Sequence, residues 1–68
     1  MNEETFNMDL RKFLKTFGVG AQRELEQAVR KAIESGALNG STTVKARAKL
    51  EVEGLEVDFV VEEDLRIA

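Results

Sequence analysis

The hydrophobic pattern changes period once along this chain, and that change limits the folds open to it. From residue 6 to residue 33 apolar side chains recur at helical spacing; from residue 44 to residue 61 they alternate. A helix returns a side chain to the same face every three to four residues, a strand every two. A chain carrying first one pattern and then the other must lay helix against sheet.

The alternating region reads TVKARAKLEVEGLEVDFVVEED, residues 43–64. Val44, Ala46, Ala48, Leu50 and Val52 share one face, with Lys45, Arg47, Lys49 and Glu51 on the other. Glu53-Gly54 is the turn signal, after which Leu55, Val57, Phe59 and Val61 resume the apolar face. A two-residue loop at 53–54 predicts Val52 opposite Leu55, Leu50 opposite Val57, Ala48 opposite Phe59 and Ala46 opposite Val61. It also sets Lys49 against Asp58 and Lys45 against Glu62. A four-residue loop, with Val52 opposite Val57, keeps the same faces together; an odd-length loop would oppose charges to apolar groups. Residues 62–68 read as a strand extension or a frayed tail.

The helical region divides in two. Phe6, Leu10, Phe13, Leu14 and Phe17 form one stripe, and Leu25, Ala28, Val29, Ala32 and Ile33 a second. Between them lies Gly18-Val19-Gly20, a glycine stop followed by a glycine cap, which predicts two helices joined by a three-residue link. Asn2 is the candidate cap of the first helix, with Glu3 and Glu4 at its positive end; a later start capped by Asn7 is the alternative. Gly36 ends the second, and Leu38 is expected to pack back on it. NGST, residues 39–42, is the loop into the strands. The predicted fold is therefore α+β: a single domain over residues 1–68, two helices packed on one face of a two-stranded antiparallel hairpin, in the order ααββ. Phe13, Val29, Leu50 and Phe59 are its expected core.

Composition narrows the chemistry. The 68 residues include no Cys, His, Trp or Tyr. Nucleophilic catalysis would rest on a Ser or Thr without a histidine base, so the chain reads as a non-enzyme. No thiolate is available for a disulfide or metal site. The run Glu62-Glu63-Asp64 is carboxylate-rich, but three consecutive positions do not form a cage, and no metal or cofactor is expected. GVGAQR has a G-x-G, yet no strand precedes it as a dinucleotide site requires. The N-terminal stretch lacks the apolar run of a signal peptide or membrane anchor. A soluble protein without cysteine fits a cytoplasmic setting.

Charge bears on partners. Net charge is -3. Residues 1–50 carry nine basic and six acidic side chains, net +3, and residues 51–68 one basic and seven acidic, net -6. An acidic chain is a poor general ligand for phosphate backbones, which disfavours nucleic acid. Helix, short turn, helix, hairpin is nevertheless the order of a winged helix-turn-helix, and this is the alternative reading. Its contacts would be Arg23, Arg30 and Lys31 on the second helix and Lys45, Arg47 and Lys49 on the wing. The preferred function is protein–protein contact, with an unknown partner or as a homodimer through an exposed strand edge. Val60, on the charged face, and Leu65 and Ile67, near the C-terminus, are the candidate contact residues.

ETFNM, RKFLK, GV followed by QRE, AV followed by ESG, and the hairpin KLEVEGLEVD with VVE together resemble one family. It consists of very short, largely proteobacterial proteins classed only as a domain of unknown function, and the resemblance runs nearly end to end. Its motifs are structural: a helix face, a turn and a hairpin. Members of the family it resembles tend to carry Thr or Ser after GV, where this chain has Gly20-Ala21, which would weaken the cap there. The resemblance implies a stand-alone bacterial cytoplasmic protein and no particular activity or cofactor.

Overall fold

The computed structural model describes residues 1–38 and 40–68; of the NGST loop, Asn39 lies outside the described residues. The elements are a helix α1 (Glu3–Ser35) and two strands, β1 (Thr43–Lys49) and β2 (Val60–Arg66). The class is α+β, but with one helix of 33 residues where two were expected. The order is αββ rather than ααββ.

The continuity of α1 has a plain energetic reason. Breaking a helix leaves four C=O groups without partners at the new C-terminus and four N–H groups at the new N-terminus. A glycine inside a helix costs only about 1 kcal/mol relative to alanine and keeps its hydrogen bond. The sequence has no proline to remove one. Gly18 and Gly20 accordingly keep helical backbone, while the glycines at positive φ are Gly36, Gly40 and Gly54. The true ends follow the sequence signals. The Asn2 side chain accepts a hydrogen bond from the Thr5 N–H at 3.1 Å, with Glu3 and Glu4 in the first turn. Gly36 closes the other end in the left-handed conformation, φ 82°, and the Leu38 N–H returns to the Ala32 carbonyl at 3.3 Å.

β1 and β2 pair antiparallel. The turn sits where Glu53-Gly54 placed it: the Leu55 N–H donates to the Val52 carbonyl at 3.1 Å, and Gly54 has φ 81°. The register differs from the two-residue expectation. Ala48 faces Val61, Arg47 faces Glu62 and Lys45 faces Asp64, and the Leu50 N–H bonds the Phe59 carbonyl at 3.0 Å. Between the strands and the 53–54 turn lie three residues on the outgoing side, 50–52, and five on the return side, 55–59, which displaces β2 by two positions. The sheet register is the one the four-residue loop predicts. An even displacement keeps every side chain on its own face, so the alternation alone does not separate the two registers. Residues 62–66, read as extension or tail, continue β2.

The hairpin runs back along α1. Val44, Leu65 and Ile67 at its base lie beside the stretch from Gly18 to Ile33. Ala48, Leu50, Phe59 and Val61 lie beside Phe13, Leu14 and Phe17. One helix covers a two-stranded sheet incompletely, and no described residue is buried. The expected core is corrected accordingly: Val29 and Leu50 are half-buried, but Phe13 is 54% and Phe59 56% exposed. The longest dimension is 51 Å, the length of the helix itself. The radius of gyration is 16.0 Å, against about 11 Å for a compact chain of this length.

Candidate interaction surface

The two faces of the hairpin differ in what they have already bonded. On the face turned from the helix, Lys45 Nζ lies 3.5 Å from Glu62 and Arg47 Nε 3.9 Å from the same carboxylate. The expected Lys45–Glu62 pair therefore forms, as a diagonal in the shifted register, with Arg47 directly opposite. Lys49 faces Val60 instead of Asp58. These ion pairs are solvent-exposed, so each contributes less than about 1 kcal/mol. They do reduce the positive charge that β1 presents.

On the helix-facing side the hairpin and α1 enclose two open apolar grooves. One is bounded by Leu25, Val29 and Ile33 of the helix and by Val44, Leu65 and Ile67. The other is bounded by Phe13, Leu14 and Phe17 and by Leu50, Phe59 and Val61. Between them, the small Ala46 is opposite Glu63. Every Phe, Leu and Ile of α1 is exposed by 38% or more. Apolar groups held this open to water are the largest unsatisfied feature of the molecule.

The candidate contact residues fall in different places. Val60 stays on the charged face, opposite Lys49. Leu65 and Ile67 are half-buried against the base groove, Leu65 opposite Val44, and the Ile67 N–H donates to the Thr42 carbonyl at 2.9 Å. They are part of the helix–hairpin seam, not a separate patch. Both strands of the two-stranded sheet have an open edge.

Of the six cations of the winged-helix reading, Arg30 lies 3.8 Å from Glu26 on its own helix, Lys45 and Arg47 both approach Glu62, and Lys49, opposite Val60, borders the groove that holds Phe13, Leu14 and Phe17. The arrangement also lacks the turn between two helices on which that reading depends, because α1 is unbroken. Among the described residues, no group of three or more acidic residues is placed to hold a metal ion. Among the described residues no helix is long and apolar enough to cross a membrane.

The exposed aromatic face of α1 is the feature that the sequence reading assigned elsewhere. Phe6, Phe13 and Phe17 were visible as a helical stripe, and a stripe in a small domain is ordinarily core. Only the count of covering elements shows that it is not closed. The chain matches, over residues 1–68, the model of a family of unknown function, DUF6494, and belongs to that family. No curated protein and no solved structure matches it.

Proposed function

We propose that this member of a family of unknown function is a small non-enzymatic protein that acts in the cytoplasm through protein–protein contact. One observation carries the reading: the apolar face of α1, with Phe6, Phe13 and Phe17 each about half exposed, is not covered by the rest of the chain. Removing such surface from water is worth roughly 25 cal/mol per Å². A protein partner supplies an extended apolar counterface, and the lack of histidine and cysteine leaves few groups for catalysis. The open sheet edges offer that partner a second, backbone-directed attachment.

The test is affinity capture of a tagged chain co-expressed with an untagged copy, with mass spectrometry of what is retained. The expected result is a protein, either the untagged copy or another, held by the wild type and lost from Phe13→Glu/Phe17→Glu. Elution of the tagged chain by itself overturns the reading.

A further inference from the structure

Building on that interaction reading, we propose that the face is covered by a second copy of this chain, the two α1 helices packed antiparallel about their midpoints. Area gives the first argument. The chain exposes 6455 Å². A folded monomer of 7.6 kDa exposes about 4300 Å². The excess, about 2000 Å² per chain, is of the size that obligate homodimers bury. A second copy closes this deficit without requiring any other component.

The layout of α1 gives the second argument. Its midpoint lies between Gly18 and Gly20. Leu10, Phe17, Ala21 and Ala28 are spaced by seven, four and seven residues, which sets them in one line along the helix. Reversed about the midpoint, this line meets itself with large side chains against small ones: Leu10 against Ala28, and Phe17 against Ala21. Phe6 and Ala32 extend the same complementarity toward the ends. Such alternation of large and small is what lets two helices interdigitate. A parallel pairing would instead stack Phe6 on Phe6 and Ala28 on Ala28.

Charge and access agree. The first half of α1 carries Glu3, Glu4, Asp9, Arg11, Lys12 and Lys15; the second carries Arg23, Glu24, Glu26, Arg30, Lys31 and Glu34. Each half is neutral, so reversing one helix against the other brings no net repulsion. Of this line, Leu10 and Ala28, like Phe6 and Ala32, lie outside both grooves formed with the hairpin; Phe17 and Ala21 border the grooves, and Phe17 remains 54% exposed, so another helix has access to the line at its two ends and along the open side of Phe17. The hairpin then flanks the helix pair instead of separating it.

Because the chain has no native cysteine, the arrangement is testable by disulfide trapping. In the antiparallel pair, position 10 of one copy is adjacent to position 28 of the other. The two copies of position 10 are about 27 Å apart, far beyond disulfide reach. Purified wild type is expected to give twice 7.6 kDa by light scattering. Leu10→Cys/Ala28→Cys is expected to form a cross-linked dimer on oxidation, released by reductant, while Leu10→Cys and Ala28→Cys alone stay uncrosslinked. A monomer at 100 μM overturns the proposal, even where the capture experiment finds a different partner. A dimer in which a single variant cross-links, or in which the double variant does not, overturns the antiparallel helix pairing and points to the strand edge or a parallel arrangement.

Discussion

The two halves of α1 have the same helical backbone and the same charge balance, yet their apolar faces are built from different side chains. The first half presents Phe6, Leu10, Phe13, Leu14 and Phe17; the second presents Ala21, Leu25, Ala28, Val29, Ala32 and Ile33, with no aromatic among them. A monomeric core needs only enough apolar volume and does not require that volume to be graded along one helix. Grading by size is what a helix needs if it is to meet its own reverse. In the proposed pairing, a helix without a buried side chain becomes one half of an interface.

The largest expected effect comes from charging the bulky half. Leu10→Asp places a carboxylate in the proposed seam, outside the hairpin grooves. Self-association should weaken about 30-fold or more, seen as a shift from dimer to monomer in light scattering across a dilution series. Helix content measured at high concentration separates that loss from unfolding. An unchanged mass means that the bulky half is not at the interface.

A smaller effect comes from making the second half bulky. Ala28 is exposed in the single chain, so Ala28→Phe should alter monomer stability by no more than about 0.5 kcal/mol. Against Leu10 of another copy it overpacks the seam and should cost about 1–3 kcal/mol of dimer stability. Adding Leu10→Ala should restore association. Restoration by the second substitution is the sharper outcome, because it ties two positions 18 residues apart to one contact. Equal dimer affinity for Ala28→Phe and wild type would remove the size argument.

The smallest effect lies at the junction of the halves. A β-carbon added at Gly18 or Gly20 meets nothing within 4 Å, and both positions have helical backbone. Gly18→Ala and Gly20→Ala should each raise stability by about 0.5–1 kcal/mol in chemical denaturation. A turn at this point would give the opposite sign for Gly18, since alanine is strained in the left-handed conformation a helix stop uses. Thermal melting of the two variants thus distinguishes one helix from two. Nothing in the structure explains why glycine stands at these positions.

Much of this architecture was legible in the residues. The change from helical to alternating period gave α+β and the antiparallel hairpin. Asn2, Gly36 and Gly54 marked the helix ends and the turn, because each supplies a group or a conformation that few other residues supply. The strand register was narrowed to two choices and no further. Both choices keep Val44, Ala48 and Leu50 on one face, and the two extra residues between the turn and β2 carry no local signal that marks them. Leu65 and Ile67, the candidate contacts near the C-terminus, lie half-buried beside α1, whereas the aromatic face of the helix, read as interior, is exposed.

Local chemistry by itself determined the element types, their caps and which side chains share a face, since these depend on backbone geometry within a few residues. Whether Gly18-Val19-Gly20 ends a helix, and how much of Phe13 and Phe59 remains in water, depended on the tertiary arrangement. A glycine pair costs a helix little and a break costs it several unpaired backbone groups, so the helix continues. Once it continues, one helix is left to cover the sheet, and its apolar face stays open to water.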